Sequence, residues 1–547
     1  MHPRKRPVCL LLILILTLAL LPVRGEGGGS APLRVLLRRL GLGERARITL
    51  SGTYLLRGEN GTELLLQPEQ ELLLLLRDQR IFLHSEVFSA SLGASLTLTR
   101  QADGRELPGL RIGSSGLYPG DLSLTVEEGK LTPVLTLDLE DYLRGVVPYE
   151  MSDSFPLEAL KAQAVCARTY AMNKMDPSLP WDVVDTTNDQ VFRGIPGDQA
   201  RSDRAVAETA GLVLTRSDRL VECWYSASNG GQTEIPAHVW GSADTVGRYE
   251  IREDPWDLEN PDSLTRSARF RKDGSGLYRR ITGLLRAAVQ ETAEWKAAGL
   301  SARENDFRID AIRAVSLKTP KYEKPSRLMT ELEVTLSVSG RRISGGTLHA
   351  YESAGAFTVT LPVFPDVLTA LGLTINGTGN ELLSVTEEED AFRLTSARFG
   401  HGVGLSQRGA QYMASRDGKN FEEILAFYFP DAKLKRYEGE TQALPSAPPL
   451  LAETPTPAPS AAPKPTLMPV TEENLPEGAW LASVENIADG TTLNLRSDAS
   501  PVASVLMTLA KHQRLIVLDD MDVPGWARVK TDAVEGYVMT SFLKKVK

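Results

Sequence analysis

The order of apolar and polar positions divides the chain into strand-like and helix-like stretches. Short alternating or apolar segments recur over residues 33–140, and Leu332, Val334, Leu336 and Val338 alternate in the same way. A period of two residues is typical of half-buried strands. The pattern therefore predicts a strand-rich N-terminal part and a further strand near residue 335.

Two stretches instead show helical spacing. The first covers 156–175, with Pro156 in the first turn, where its missing N–H costs nothing, and with Glu158 and Lys161 as an i,i+3 pair. The second covers 277–299. Basic residues surround its start: Arg266, Arg269, Arg271, Lys272, Arg279 and Arg280. We interpret them as a solvated face, and a docking patch for an anionic wall polymer is the alternative.

The first 25 residues have the pattern of an export signal. A basic stretch is followed by an apolar run of 14 residues from Val8 to Leu21, which is short for a membrane span of about 20 residues. We expect a cleaved signal peptide over 1–25, with an uncleaved anchor as the alternative. The mature protein is then expected to be exported and extracytoplasmic.

A proline-rich segment separates the last part of the chain from the rest. Residues 444–476 hold ten of the 33 prolines, a composition that favours an extended spacer without a core. Short strand-like runs with turn signals follow over 478–547, and they predict a small β-barrel. The order of "LNLRSDAS", "GWARVK" and "GYVMTSFL" resembles a bacterial SH3-like domain, a family that usually binds cell-wall peptide or glycan. A spacer or dimerisation module is the alternative.

Composition narrows the function classes. The 547 residues carry a net charge of −9, so a protein that depends on phosphate contacts is not expected, and we predict no nucleic-acid partner. Of the three cysteines, Cys9 lies in the signal segment. Cys166 and Cys223 are expected as buried thiols, and one disulfide between them outside the cell is the alternative.

Three stretches contain candidate chemistry. Glu150 precedes the first helix among apolar residues, where desolvation would raise its pKa and suit it to act as a general acid; a helix-dipole partner is the alternative. Ser228, Gly230 and Gly231 predict a tight turn at which a ligand can approach the backbone closely; a plain turn is the alternative. Alternating glycines at 400–404 leave one face of the segment bare, as where another backbone or a flat sugar packs.

Five ordered blocks in this sequence closely resemble the family of stage II sporulation protein D and LytB. The blocks are "EDYLRGVVPYEM", "EALKAQAVCARTYAM", "DTTNDQVFRG", "YSASNGGQTE…VWG" and "GHGVGLSQRGA". The likeness covers most of 33–436. It implies a mixed α/β catalytic region with a β-rich N-terminal part, in which 263–330 is interpreted as an insertion. Together with the small all-β SH3-like barrel predicted at the C-terminus, the expected fold class is α+β.

The resemblance also implies an activity. Sporulation members of the family are lytic transglycosylases that cleave the MurNAc–GlcNAc bond of peptidoglycan, preferably in strands stripped of stem peptides, and leave a 1,6-anhydro end. The family's catalytic glutamate matches Glu150. Other residues of the matching blocks are expected to bind substrate: Lys161, Gln163, Gln190, Ser228, Gly230, Gly231, His401, Ser406 and Gln407.

The expected partners are peptidoglycan glycan strands, the cell wall through the SH3-like domain, and an amidase or another sporulation hydrolase. Some members of the family are described as amidase enhancers, which makes a non-enzymatic enhancer the alternative function. Two positions depart from the family pattern: Arg408 stands where an aromatic residue is usual, and Phe192 where tyrosine is usual. Some members carry a Cys/His zinc cluster, but we predict no metal and no cofactor here.

Overall fold

The computed structural model describes residues 32–85, 89–105, 107–113, 115–241, 249–437, 479–485, 492–496, 505–523, 525–531 and 535–546. The expected signal peptide over 1–25 and the proline-rich spacer over 444–476 lie outside the described residues. No helix among the described residues is long and apolar enough to cross a membrane.

The N-terminal part consists almost entirely of short strands. They are β1 (Leu33–Leu36), β2 (Arg45–Leu50), β3 (Tyr54–Gly58), β4 (Glu63–Leu66), β5 (Glu71–Arg77), β6 (Arg80–His84), β7 (Ser89–Gly93), β8 (Ser95–Arg100), β9 (Leu110–Ile112), β10 (Asp121–Glu127) and β11 (Lys130–Leu137). Buried and exposed positions alternate along β5, β10 and β11, as the period of two predicts.

Helices and short strands follow in the region that contains the first matching blocks. They are α1 (Leu139–Arg144), α2 (Val147–Glu150), α3 (Leu157–Lys174), β12 (Val183–Val184), α4 (Ala200–Glu208), β13 (Leu212–Arg216), β14 (Arg219–Leu220), β15 (Tyr225–Ser226), α5 (Pro236–Trp240) and α6 (Pro255–Glu259). The helix expected over 156–175 is confirmed as α3, and the Glu158–Lys161 pair forms with an N–O distance of 2.8 Å.

A second group of elements lies between α6 and the last matching block. It comprises β16 (Arg266–Arg271), α7 (Arg279–Gln290), α8 (Ala293–Ala298), β17 (Phe307–Pro320), β18 (Met329–Ser344), β19 (Thr347–Pro362), α9 (Leu368–Ala370), β20 (Leu382–Glu387) and β21 (Ala391–Ala397). The helix expected over 277–299 is two helices, because Thr292 accepts a hydrogen bond from the Trp295 N–H and caps a new start.

The chain then returns to the first group with four elements. They are β22 (Leu405–Ser406), α10 (Gln407–Asp417), α11 (Phe421–Tyr428) and β23 (Lys433–Arg436). The C-terminal part contains β24 (Trp480–Val484), β25 (Thr492–Arg496), β26 (Val505–Ala510), β27 (Arg514–Val523), β28 (Trp526–Lys530), β29 (Glu535–Met539) and β30 (Leu543–Lys545). These last strands form one seven-stranded sheet.

Three separate hydrophobic cores correspond to these groups. The first joins the N-terminal strands to α1–α4, α10 and α11, and its main sheets have the orders β12-β1-β11-β10-β8-β3-β4 and β7-β6-β5-β2-β9. The second core joins β16 to β21, so the unit that interrupts the matching blocks covers about 266–397 and contains the segment 263–330 in its first half. The third belongs to the C-terminal sheet. The predicted α+β class is confirmed.

Helix α3 lies at the centre of the first core and is buried on almost every side. Its Arg168 side chain is 1% exposed and forms two hydrogen bonds of 2.7 Å to the carboxylate of Glu140 in α1. A buried charge needs such a partner, because an unpaired one is very costly to remove from water. The pair therefore fixes α1, and with it the short helix α2, against α3.

Candidate active site

Glu150 is the last residue of α2, the single helical turn between α1 and α3. Its Oε1 accepts a hydrogen bond of 2.7 Å from the Val191 N–H. The side chains of Tyr225 and Gln407 also hydrogen-bond to the carboxyl group. The side chain is only partly buried, so these contacts hold a carboxyl group that still faces a cleft.

A chain of hydrogen bonds fixes the direction of the Tyr225 contact. The Tyr142 hydroxyl donates to Gln190 Oε1 at 3.2 Å, and Gln190 Nε2 donates to the Tyr225 hydroxyl oxygen at 3.1 Å. Because that oxygen already accepts a bond, its own hydrogen is available to Glu150. Burial and the charge of Glu150 raise the pKa of Tyr225 well above its usual range, so the hydroxyl remains a donor.

Burial is also the main influence on Glu150, and it raises the pKa of this carboxyl group above its usual range. The Val191 N–H, Tyr225 and Gln407 act in the opposite direction, since each favours the charged form. The positive charge of Arg193 adds a smaller effect of the same sign. The Val191 N–H, Tyr225 and Gln407 therefore favour the charged carboxylate, whereas burial favours the protonated acid.

The cleft beside Glu150 has a volume of about 630 Å³. One wall comes from the α2–α3 region and the start of α10, and the opposite wall from segment 261–265, which connects α6 to β16. Phe399 contributes an apolar side chain that is 45% exposed. Residues lining this cleft include Glu150, Ser152, Phe155, Ser228, Asp262, Ser263, Thr265, Phe399, Gln407 and Arg408.

The glycine turn at 228–231 is held from below by two aspartates that sequence reasoning missed. Asp257 accepts hydrogen bonds from the Ser228 hydroxyl at 2.8 Å and the Asn229 N–H at 2.9 Å, and also from Ser406. Asp254 accepts from Asn229 Nδ2 at 2.7 Å. The Asp254 side chain also caps α6 by accepting from the Asp257 N–H. An Asp-Pro pair signals this helix start, but nothing in the sequence places the helix beneath the turn.

Ser228 lines the cleft together with Glu150 and Gln407. It is 1% exposed and its hydroxyl already donates to Asp257. Gly230 is buried, with φ of +72°, and a Cβ there would lie 2.7 Å from the Arg398 backbone nitrogen. Gly231 is buried beside Leu258. The burial of these residues indicates that the turn supports the wall of the cleft.

The alternating glycines pack against protein backbone, the first of the two alternatives from the sequence. A Cβ on Gly404 would lie 2.1 Å from the Trp224 carbonyl oxygen, and one on Gly400 would lie 2.6 Å from the Ser226 Cβ. These contacts allow β22 to pair in parallel with β15, with Tyr225 opposite Leu405. The pairing brings Tyr225 and Gln407 to the same side of the cleft as Glu150.

His401 has both ring nitrogens engaged with the backbone. Its Nδ1 accepts from the Val403 N–H at 3.0 Å, and the ring also bonds to the backbone of Tyr225. Burial lowers the pKa of His401 to about 4. The ring is therefore neutral near pH 7 and steadies the strand that carries Tyr225.

The other predicted substrate residues lie at different depths. Gln190 and Gln163 are fully buried, and Gln163 Oε1 accepts from Gln407 Nε2 at 3.4 Å. Ser406 is buried and caps α10 by accepting from the Gly409 N–H. Lys161 is not among the described residues that line the cleft, and its ammonium pairs with Glu158 and Glu208 at 2.8 and 2.7 Å. The substrate roles of all these residues stay predictions.

The two departures from the family pattern have different surroundings. Phe192 is fully buried, with its ring centroid 5.0 Å from that of Tyr142, so it packs beneath the site and cannot stack on a ligand. Arg408 lines the cleft and its guanidinium lies over the Phe155 ring, 5.1 Å from the centroid. Arg408 is therefore the departure that a substrate would meet.

Cys166 and Cys223 are free, buried thiols. They lie against each other, and burial together with this contact raises the pKa of Cys166. Basic residues near α7 are paired with neighbouring carboxylates, as in Arg269 with Asp390 at 2.7 Å and Lys272 with Glu387 at 2.7 Å. These pairs favour the solvated face over a patch for an anionic polymer.

Comparisons with known proteins show which families this sequence is similar to. A family model described as stage II sporulation protein, SpoIID, matches residues 127–216, which contain Glu150 and Gln190. Residues 127–216 are therefore similar to the SpoIID family domain. The resemblance inferred from the five blocks is thereby confirmed, whereas the SH3-like assignment stays a prediction.

Relatives with recorded names extend the match beyond that domain. An amidase enhancer of Bacillus subtilis is 29% identical over 298 residues, which are 54% of this chain and 40% of that protein. Stage II sporulation protein D of B. subtilis is 25% identical over 339 residues, 59% of this chain and 81% of that protein. The same protein of Bacillus amyloliquefaciens is 26% identical over 313 residues, 54% of this chain and 74% of that protein. The chain thus spans well under half of the amidase enhancer's length.

Proposed function

We propose that this protein is an exported lytic transglycosylase that cleaves the MurNAc–GlcNAc bond of peptide-stripped peptidoglycan strands. The observation that carries the proposal is the environment of Glu150. Its carboxyl group lies in an open cleft, its pKa is raised by burial, and the groups that hydrogen-bond to it are donors. A carboxyl group whose pKa is raised holds its proton to higher pH than an ordinary glutamate, which suits a general acid.

Glu150 then serves in both steps of the reaction. In the first step it donates its proton to the glycosidic oxygen, and the bond to the anomeric carbon breaks. In the second step its carboxylate removes the proton of the muramic acid C6 hydroxyl, whose oxygen attacks the anomeric carbon. The products are a free GlcNAc end and a 1,6-anhydro-MurNAc end, and Glu150 is again protonated. No water is consumed, so no second carboxylate is required to activate it.

The donors around Glu150 fit this cycle. The Val191 N–H, Tyr225 and Gln407 stabilise the carboxylate that exists between the two steps. Because the Val191 contact is a backbone N–H, it is already in place before the proton leaves. Such fixed donors cost no reorganisation during the reaction.

The test is mass spectrometry of peptide-free glycan strands incubated with the protein lacking residues 1–25. We expect anhydro-muramic ends with the wild type and none with Glu150→Gln. Glu222→Gln is the matched control, because Glu222 is an exposed glutamate and should not affect cleavage. Normal turnover by Glu150→Gln would refute the proposal.

A non-enzymatic enhancer of an N-acetylmuramoyl-L-alanine amidase is the second candidate, and the name of the B. subtilis relative favours it. In that case the protein alone yields no products, and the wild type and Glu150→Gln accelerate an added amidase equally well. The same assay with and without amidase separates the two functions.

We further propose that residues 478–547 bind the cell wall and hold the catalytic part near its substrate. Tethering raises the effective concentration of glycan at the cleft without new contacts there. Deleting 478–547 should lower sedimentation of the protein with purified sacculi while leaving cleavage of soluble strands unchanged. Unaltered sedimentation would refute wall binding by this part.

A further inference from the structure

Among the described residues that line the cleft, Arg408 is the cation that faces the same space as Glu150. It is the second residue of α10, and its side chain is 31% exposed. The backbone there is held on both sides, because the Arg408 N–H donates to the Ala227 carbonyl at 3.0 Å and Asn260 Nδ2 donates to the Arg408 carbonyl at 2.8 Å. The position of this guanidinium is therefore set by the fold.

The side chain is also oriented before any ligand arrives. Its guanidinium lies over the Phe155 ring, and Nη1 donates to Gln411 Oε1 at 2.7 Å. Stacking on one side and a hydrogen bond on the other reduce the freedom that an arginine would lose on binding. Such an arginine suits recognition of a planar anion.

The ion pair that Arg408 makes in the free protein is weak. Its Nη1 lies 3.6 Å from Asp262 Oδ2, and the Asp262 side chain is 58% exposed. Exposed pairs of this kind contribute only about 0–1 kcal/mol. Among the described residues, the contacts of the Arg408 side chain with Gln411 and Asp262 both use Nη1, so Nε and Nη2 remain available for a bidentate contact with a carboxylate.

We propose that Arg408 binds the free lactyl carboxylate of a peptide-free MurNAc residue and thereby makes the cleft selective for stripped strands. This inference rests on the proposed function. The lactyl carboxylate is the one charge that a stripped strand carries on each MurNAc. In a strand with stem peptides the same carbonyl is part of a neutral amide, which offers a single oxygen acceptor to the guanidinium.

The experiment measures cleavage of two substrates by the wild-type protein and by an Arg408 variant. One substrate is peptide-free glycan strands, and the other is the same strands with the lactyl carboxyl converted to a methylamide. For the wild type we expect kcat/KM about tenfold higher on the carboxylate substrate, mainly through a lower KM, as one charged contact of about 1.4 kcal/mol implies. Arg408→Gln should lose that preference, with a larger fall of kcat/KM on the carboxylate substrate than on the amide.

Further variants control for folding and for charge in general. An unchanged thermal unfolding midpoint shows that Arg408→Gln is folded. Arg416→Gln is the matched control on α10, because Arg416 pairs with Glu259 and Asp417 and should not alter the preference. Asp262→Asn removes the competing carboxylate and should lower KM for the carboxylate substrate about two- to threefold.

The outcomes separate this inference from the proposed function. Equal wild-type cleavage of both substrates, or equal losses on both for Arg408→Gln, would overturn the role of Arg408 while leaving the transglycosylase intact. Cleavage of neither substrate by the wild type would overturn the proposed function itself.

Discussion

Two neighbouring sites in this fold contain carboxyl groups, and they differ in what surrounds them. One is Glu150 at the cleft, and the other is the pair Asp254 and Asp257 beneath the turn at 228–231. Glu150 has a raised pKa and faces an open cleft. Asp254 and Asp257 are fully buried, and burial raises the pKa of Asp254 to about 6. The carboxylates of Asp254 and Asp257 accept hydrogen bonds from Asn229, Tyr428, Ser228 and Ser406.

The difference shows that a raised pKa alone does not identify a catalytic acid. Both sites have lost water, but only Glu150 keeps a side open to a substrate. The buried aspartates instead hold the turn at 228–231 and the start of α10 in place. A chemical role for Glu150 and a structural role for Asp257 lead to predictions that separate the two sites.

The largest effect is expected for Glu150→Gln. It should lower cleavage at least about a thousandfold, since general acid–base catalysis contributes about 10²–10⁴ per step. It should not lower the free energy of unfolding. The pKa of Glu150 is higher in the folded protein than in the unfolded chain. The wild type therefore loses stability as pH rises above the pKa of the unfolded chain, and the glutamine variant avoids that loss. Chemical denaturation at pH 4 and pH 7 measures it, and a variant less stable at pH 7 would contradict the account.

Asp257→Ala should instead unfold or strongly destabilise the first core. Four donors lose an acceptor, namely the Ser228 and Ser406 hydroxyls and the N–H groups of Asn229 and Gly230. Unsatisfied buried groups cost about 1–3 kcal/mol each, so we expect a loss of about 3–5 kcal/mol. Glu259→Ala is the control on the same helix, because its carboxylate is 56% exposed; a loss as large as that of Asp257→Ala would contradict the distinction.

The raised pKa of Asp254 predicts a pH-dependent difference in stability. The main cause is burial, and the neighbouring charge of Asp257 adds to it. The wild type therefore loses stability as pH rises from about 4 through about 6, whereas Asp254→Asn mimics the protonated form. The stability of the variant relative to wild type should rise by about 1–3 kcal/mol across that window. Parallel curves for the two proteins would contradict the prediction.

Tyr225→Phe probes the positioning of Glu150. It removes a donor to the carboxylate and so should raise the pKa of Glu150 further and shift the alkaline limb of the kcat–pH profile to higher pH. We expect kcat to fall about tenfold, as for one lost hydrogen bond to a charged group. Tyr170→Phe is the control, because the Tyr170 hydroxyl bonds to Asp189; an unshifted profile in Tyr225→Phe would argue against positioning.

Asp262→Asn is expected to have the smallest effect, because the chemical identity of the cleavage products should not change. Asp262 and Glu150 are the carboxylic residues among the described residues that line the cleft. A hydrolase would need a second carboxylate to activate water, whereas the proposed transglycosylase does not. Product analysis should therefore still find anhydro ends, and loss of all cleavage in this variant would favour a hydrolase.

The sequence predicted the elements that depend on local pattern. The helix α3, the strand β18 and the position of Glu150 just before α3 follow from periodicity, proline placement and the matching blocks. The sequence analysis expected one helix over 277–299 and missed the break between α7 and α8. An apolar stripe continues across the break and favours one helix, whereas Thr292 caps the start of a second one.

What the sequence did not predict depends on contacts between distant parts of the chain. Tyr225 reaches Glu150 only because β15 pairs with β22, about 180 residues further on. The Asp257 contact joins a turn, a helix start and α10. Neither spacing nor hydropathy carries that information, so the bond from Ser228 to Asp257 could not be predicted. The role of Ser228 in substrate binding stays a prediction.

The most direct test of the central claim is the chemistry of the new end. Peptide-free strands are cleaved by the wild-type protein in water enriched in heavy oxygen, and the muramic ends are examined by mass spectrometry. The account predicts ends that lack one water molecule and carry no label, because the C6 hydroxyl is the nucleophile. Labelled reducing ends would contradict it and make the protein a hydrolase.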